Sequence, residues 1–153
     1  AGPHEILGWS SLVRGVAYET AIASNETICI TLPAQVFLSL LESEPTLARE
    51  FQNRCTKSEI CELLSLELQR RAIGSGVNLK ELTAHVAQDA VVLNLPSGTP
   101  EIPQLDSDKL WLVSNGMVGA FSRGSHFPVS ESGRWLPVQG EKGHKGARLI
   151  GLA

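Results

Sequence analysis

The sequence predicts a mainly β fold with helices, in which short antiparallel strands form a β-roll or jelly roll and a helical subdomain is attached. β-type patterns occupy residues 1–32 and 90–153, and helical patterns occupy 33–89. No strand alternates with a helix at the spacing of a βαβ unit, which argues against a parallel sheet. Short strands between turns are typical of a roll. The length of 153 residues is that of one domain, 1–153.

The chain opens on a stretch, Gly2–Ser24, with the pattern of a strand, a one-turn helix and a second strand. Two apolar residues run into Gly8, and Ser10 and Ser11 follow in a short turn. The N–H groups at the start of a helix have no partner inside it and can hold an anion. The last residues, Gly146–Ala153, have the pattern of the start of the same unit, so the chain opens and closes on one motif.

Two β-type runs complete the first segment. Thr20, Ile22 and Ser24 alternate with alanines, and residues 27–31 are mostly β-branched. Asn25-Glu26 has the composition of a turn. The two runs are therefore predicted to form a hairpin.

Helices are predicted from Pro33 onward, because proline suits the first position of a helix. The first helix ends at Pro45, and a short second one covers 46–53. The third begins with a capping box, in which the Thr56 hydroxyl accepts from the N–H of Glu59 and the Glu59 side chain reaches back.

The rest of the third helix carries one apolar stripe at helical spacing. Glu67 and Arg71 lie four residues apart on its other side and are predicted to pair. Gly74 and Gly76 are predicted to end it. A last helix, capped by Asn78, is expected to reach about Gln88.

The final segment is predicted to be β. Residues 91–95 form a strand, and 109–114 and 117–122 flank Asn115-Gly116, which predicts a hairpin with a type I′ turn. Residues 134–139 read as an edge strand because of Pro137. A last strand begins at 148–150.

Composition excludes several classes of function. The net charge of −3 and the pI of about 5.8 argue against nucleic acid as a partner. No apolar run approaches the roughly 20 residues that span a bilayer, so direct membrane insertion is not expected. Cys29, Cys55 and Cys61 are expected to be reduced thiols in a cytoplasmic protein, and their spacing does not predict zinc.

Catalysis is not expected either, and no catalytic, metal-binding or cofactor-binding residues are predicted. The four histidines lie far from any nucleophile motif, and the His-x-His pair of a metal-binding cupin is missing. The glycine-rich stretches 74–76 and 140–146 lack the Gly-Lys-Ser/Thr of a phosphate-binding loop. They are interpreted as a helix stop and a solvated, locally basic loop.

The opening stretch nevertheless carries a resemblance. Ile6-Leu7-Gly8, the Ser-Ser-Leu turn and the Thr20-Ala21 pair resemble the phosphate-binding cassette of cyclic nucleotide-binding domains, and 110–118 is similar to the hairpin of their β-roll. More narrowly, four stretches resemble the N-terminal regulatory region of cyanobacterial peptidase-containing ABC exporters: 7–12, 67–71, 105–114 and 147–151.

The resemblance implies a β-roll with its halves in permuted order. Residues 1–32 are then the back half of the roll, 33–89 the helical segment and 90–153 the front half. Either both halves fold together within one chain, with the chain ends close, or two chains swap halves into a homodimer. The first arrangement is preferred.

The resemblance also places a ligand site in the opening stretch, where two departures weaken it. Trp9 stands where the family has a glutamate for the ribose hydroxyl, and Tyr18 and Glu19 stand where it has an arginine for the phosphate. Cyclic AMP and cyclic GMP are therefore expected to bind weakly or not at all. Either Trp9 and Tyr18 serve the pocket, by covering it or by lining it for another ligand, or Trp9 simply packs. The candidate ligand-binding residues are Gly8, Trp9, Ser10, Ser11, Tyr18, Glu19, Thr20 and Ala21.

The predicted function is that of a non-catalytic regulatory or sensory domain on the cytoplasmic side of a membrane ABC exporter. Its expected partners are a cyclic nucleotide or other small anionic ligand and the other domains of the transporter. In this interpretation, an event at 8–19 shifts the helices at 33–72. The alternative is a degenerate scaffold, without a small-molecule ligand, that serves dimerisation or partner docking.

Overall fold

The computed structural model describes residue 2 and residues 4–73, 76–140 and 145–153, which form an α+β fold with antiparallel sheets. The helices of the described part are α1 (Trp9–Arg14), α2 (Ala34–Ser43), α3 (Pro45–Gln52), α4 (Lys57–Arg70) and α5 (Leu79–Val86). Its strands are β1 (Val91–Pro96), β2 (Leu110–Asn115), β3 (Met117–Val118), β4 (Phe121–Ser122), β5 (Val138–Gln139) and β6 (Gly146–Leu152).

The main sheet has the order β1-β6-β2, so the last strand of the chain lies in its centre. Leu149 of β6 stands opposite Leu93 on one side and Val113 on the other. The strand is buried on both faces, and a strand in that position reads as a continuous apolar run instead of an alternating one. The predicted final strand is confirmed and extends over seven residues.

Two hydrophobic clusters lie on opposite faces of this sheet. Leu149 points into the first cluster, together with Phe127 and Trp111. Its neighbour Ile150 points into the second, where α4 and α5 cover the sheet. Successive residues of a strand alternate between faces, so one strand serves both clusters.

The predicted hairpin at Asn115-Gly116 is wrong. The strand before it, β2, pairs with β6, whereas β3 pairs with β4 and β5 in a second sheet. Gly116 has a φ of 73°, but Asn115 does not have the positive φ that a type I′ turn needs. The chain passes between two sheets here, and a side chain at Gly116 would meet the carbonyl oxygen of Gly146 at 2.5 Å.

The predicted strands of the first segment are also wrong. Residues 17–33 have no regular secondary structure, and no backbone–backbone hydrogen bond joins 17–32 to another part of the described chain. Ile22, Ile28 and Ile30 are 88%, 97% and 100% exposed. The alternating pattern favours a strand, but a strand needs a neighbour for its backbone groups, and this segment has none among the described residues. Over the described residues, the two sheets do not close into a barrel.

The helix predictions hold because they rest on local interactions. Pro33 caps α2, Pro45 starts α3, and the Asn78 side chain accepts from the N–H of Glu81 at 3.2 Å. Glu67 and Arg71 pair as predicted, although Glu67 is buried. Helix α4 ends at Arg70, and the predicted stop at Gly74 lies outside the described residues. The predicted edge strand is reduced to β5.

The predicted capping box at α4 is half formed. Thr56 accepts from the N–H of Glu59 at 3.1 Å, as expected. The Glu59 side chain does not reach back, because it is fully buried and bonds Arg148 instead. The cap therefore depends on Thr56 alone.

Replacing Thr56 with alanine is expected to lower the free energy of unfolding by about 1 kcal/mol, because one N–H of the first turn loses its acceptor. The same change removes the contact of the Thr56 hydroxyl with that of Tyr18, at 3.3 Å. Urea denaturation followed by circular dichroism measures the loss. Thr56→Ser keeps the hydroxyl and should retain most of the stability; an equal loss in both variants would contradict the capping role.

Candidate functional site

The opening stretch contains the predicted one-turn helix, α1, which lies between two glycines. Gly8 and Gly15 have φ values of 79° and 68°, a conformation that glycine adopts without strain. No side chain caps the start of this six-residue helix. Its two buried residues are Ser10 and Arg14, so α1 points its polar side chains inward.

Three of the candidate residues use their side chains in contacts within the chain. The Ser10 hydroxyl donates to Glu19 Oε1 at 2.8 Å, and the Tyr18 hydroxyl lies 3.3 Å from that of Thr56. Burial raises the pKa of Tyr18, with smaller opposing effects from its hydrogen bonds. The Ser10–Glu19 bond brings a carboxylate to the turn where an anion would bind.

Trp9 packs against other aromatic rings. Its ring centre lies 5.1 Å from that of Phe51 on α3, and Phe51 in turn lies 5.2 Å from Phe37 on α2. Edge-on pairs of this kind stabilise the contact of neighbouring elements. Of the two roles left open for Trp9, packing is the one observed, and it joins α1 to the two following helices.

The remaining candidates are not brought into the same place. Gly8 and Ser11 are half-buried at the start of α1, whereas Thr20 and Ala21 are exposed in the segment without secondary structure. Glu19, which accepts from Ser10, is the last candidate along the chain whose side chain contacts α1. The structure therefore gathers six candidates in or around α1 and leaves Thr20 and Ala21 outside; the six are Gly8, Trp9, Ser10, Ser11, Tyr18 and Glu19.

The most concentrated group of charges in the described chain was not predicted from the sequence. Glu59 of α4 is fully buried, and Arg148 of β6 donates to its Oε1 at 2.9 Å and to its Oε2 at 3.2 Å. Ser114 of β2 donates to the same Oε1 at 2.5 Å. The Nε of Arg14 lies 3.5 Å from Oε1. One carboxylate thus ties α1 and α4 to two strands.

Arg14 is held from several directions. Its Nη2 donates to Glu62 at 2.8 Å and to the carbonyl oxygen of Ser114 at 2.9 Å, and its guanidinium carbon lies 4.2 Å from the centre of the Tyr18 ring. Burial alone would lower the pKa of Arg14, but Glu59 and Glu62 outweigh it and raise that pKa above its ordinary value. Its Nε and Nη1 are both buried, and neither has a hydrogen-bond partner among the described residues.

Arg148 also binds the chain at the end of α3 and in the middle of β1. It donates to the carbonyl oxygens of Gln52 and Arg54, next to the end of α3, and to Asn94 Oδ1 of β1 at 3.4 Å. The guanidinium group thereby satisfies carbonyls that a helix end leaves without partners. We name the group of Arg14, Glu59, Glu62, Ser114 and Arg148 the buried charge cluster.

One signal in the sequence indicated this cluster. Arg148 interrupts an otherwise apolar run, and a charge on a buried strand must be paired. Its partner was not identifiable, because Glu59 is 89 residues away and also fits a helix cap.

A groove of about 220 Å³ lies beside the cluster and is lined by polar and apolar groups. Its polar side chains include Gln52, Asn94, Asn115, Lys145 and Arg148. The donors of Arg148 are already used within the chain, so the groove offers mainly amide groups and one lysine. None of the eight predicted site residues lines it.

Other features of a site are few in the part of the chain that the structure describes. No group of three or more histidine, cysteine or acidic side chains there is arranged to hold a metal ion. Across these residues, no helix has the length and apolar character needed to cross a bilayer. The three cysteines are free thiols. Comparisons of the chain with protein-family models, curated proteins and solved structures found no match.

Proposed function

We propose that this chain is a non-catalytic regulatory domain of the cyclic nucleotide-binding-like type, belonging to a membrane ABC exporter, in which the nucleotide site is lost. One observation carries the proposal: the polar side chains around α1 are used inside the domain. Ser10 is bonded to Glu19, and Tyr18 contacts Thr56. Arg14, the arginine nearest to the candidate site, points into the buried charge cluster.

The same contacts support a regulatory role. Trp9 joins α1 to α3, and Arg14 joins it to α4 and the main sheet. A partner that moves α1 would therefore shift the helices between residues 33 and 72, which is the coupling that a two-state regulator needs. The cytoplasmic side of the transporter is part of the proposal as its setting; among the described residues, 90–153 supplies the strands and 1–32 supplies α1.

Cyclic AMP and cyclic GMP are expected to leave the thermal stability of the protein unchanged. A ligand that binds only the folded state, at 100 times its Kd, raises the free energy of unfolding by about 2.7 kcal/mol. A micromolar binder at submillimolar concentration would thus give a clear rise in Tm. Calorimetric titration checks the result independently.

Glu19→Gln is the matched variant for this experiment, because it removes the negative charge and keeps a hydrogen-bond acceptor for Ser10. We expect no nucleotide binding to either protein, since Ser10 stays engaged. Micromolar affinity in the unchanged protein contradicts the proposal. Binding that emerges only in Glu19→Gln would assign the loss to that charge alone.

The exporter context is tested by the coding sequence around the chain. We expect a peptidase domain and an ATPase domain in the same reading frame. A frame that encodes neither would contradict the transporter part of the proposal, and it would leave the nucleotide experiment unaffected.

A second function, docking without a small ligand, is favoured by a different observation. Residues 20–32 are exposed throughout and include three isoleucines. Exposed apolar patches on a protein surface mark sites of contact with other chains. A thermal stability screen against nucleotides and small anions separates the two roles, because none of these ligands would raise the Tm of a pure scaffold.

A further inference from the structure

The segment 20–32, which we name the arm, is built like a strand that lacks its neighbour. Ile28, Ile30 and Leu32 share one face by the period of two, and Thr27, Cys29 and Thr31 share the other. The three apolar side chains are 97%, 100% and 52% exposed. Within the described chain, the arm's N–H and C=O groups make no backbone–backbone hydrogen bond.

The two ends of the arm are held by the domain. On one side, the Tyr18 hydroxyl contacts Thr56 and Glu19 accepts from Ser10. On the other, Pro33 begins α2, whose Phe37 is buried. The arm therefore projects from a fixed base as an exposed apolar segment.

The main sheet has an open edge that matches the arm. Among the described residues, strand β1 pairs with β6 on one side and with no strand on the other. The N–H of Ser97 donates to the carbonyl oxygen of Lys145, so Ser97 faces β6. In an antiparallel ladder every second residue faces the same neighbour, so the backbone groups of Val92 and Asn94 point away from β6, toward the open edge. No backbone group in the described residues bonds this outer side. The other edge strand, β2, is covered through the bridge between Leu112 and His126.

The β1 edge also lacks the usual protection against strand addition. Natural edges carry lysines, inward charges or bulges that prevent pairing with another chain. Strand β1 has no charged residue, and its single proline, Pro96, lies at its end. The arm has one charged residue, Glu26, outside the run 27–32. No like charges oppose contact between the two.

We propose that two copies of this chain exchange arms, with residues 27–32 of each copy added as a fourth strand at the β1 edge of the other. This interface deepens the docking function proposed above and rests on it. Each copy uses the same two surfaces, so the pair closes with two-fold symmetry. The six residues 27–32 and the six residues of β1 make twelve strand residues per copy, fewer than the roughly 20–30 on one side of a standard interface, so the dimer is expected to be weak.

The test is the mass of the full chain by light scattering and sedimentation across a dilution series. We expect a dimer at high concentration that dissociates on dilution. The double variant Ile28→Lys, Ile30→Lys is expected to raise the dissociation constant at least tenfold without unfolding the domain, because both side chains are exposed. Val36→Lys is the control: it changes an exposed apolar residue of α2 and should leave the dimer intact.

The edge is tested with Val92→Pro, which removes an outward N–H, and with Val91→Lys, which adds a charge at a 41% exposed position of β1. Circular dichroism identifies a variant that fails to fold, and Val91→Lys then carries the test. We expect the edge variant alone and the arm variant alone to be monomeric. An equal mixture of the two should form a heterodimer, in which one intact arm meets one intact edge.

Several outcomes would overturn the exchange of arms. A protein that stays monomeric at every concentration would contradict the exchange. Hydrogen exchange then shows whether the arm is protected on the β1 edge of its own chain or is unprotected, and either result rules out an exchange between copies. A dimer that survives the edge variants indicates contact between two arms. Open-ended assembly contradicts the two-fold closure. The nucleotide titrations and the coding-sequence test report on the regulatory function separately, so failure of one proposal is distinguishable from failure of the other.

Discussion

Replacing Glu59 with alanine is expected to lower the free energy of unfolding by about 3–5 kcal/mol, which is the cost of removing one partner from a buried ion pair. The side chains of Arg14 and Arg148 are almost fully buried on either side of this carboxylate. Without it, two guanidinium groups remain in the interior with incomplete compensation, and the Ser114 hydroxyl loses its acceptor. Urea denaturation measures the loss. Domains are stable by about 5–15 kcal/mol, so this variant approaches the limit of folding.

The matched control is Glu50→Ala. Glu50 forms an ion pair with Arg54 in which both side chains are about two-thirds exposed, at 3.4 Å. Exposed pairs contribute about 0–1 kcal/mol, so little change is expected. Glu59→Gln keeps the size of the side chain and should fall between the two. A loss below 1 kcal/mol for Glu59→Ala would show that water compensates the cluster.

Replacing Leu149 with alanine is expected to cost about 2–5 kcal/mol, the range for truncating a buried leucine. Leu149 has no exposed surface and lies in the middle of β6, with neighbouring strands on both sides. Strands on both sides hold the backbone in place, so the cavity cannot collapse easily. The same denaturation experiment measures the effect.

Ile30→Ala provides the comparison for Leu149→Ala, because it truncates a similar side chain that is 100% exposed. At concentrations where the protein is monomeric, we expect a change within about 0.5 kcal/mol, as for other surface substitutions. A large loss for Ile30→Ala under those conditions would mean that the arm is packed within its own chain. Equal losses in both variants would contradict the placement of β6 at the centre of the core.

Local signals were enough to predict the helices. Thr56 and Asn78 each bond the N–H three residues later, and Pro33 and Pro45 mark helix starts. These interactions join residues that are close along the chain, so they do not depend on how distant segments pack. The apolar stripe of α4 likewise contains its buried residues Ile60, Leu63 and Leu64, although Glu59 and Glu67 are buried as well.

The candidate site was predicted in part. The one-turn helix after Gly8 is present, and six of the eight candidate residues lie in it or contact it. The sequence could not predict whether these side chains face a ligand or the interior, because serine and tyrosine occur in both environments. The sequence assigned the Glu59 side chain to a helix cap. In the structure its carboxylate instead accepts from Arg148, on the last strand of the chain.

The sequence by itself determined where helices begin and which runs have the pattern of a strand, because those properties depend on neighbours along the chain. The tertiary structure alone decided which β-type runs become strands. Residues 146–152 gained partners on both sides, whereas residues 27–32, with an equally strong pattern, gained no backbone partner among the described residues. It also decided that Arg148 meets Glu59. A strand and a buried charge both need a partner from elsewhere in the fold, and no local pattern specifies that partner.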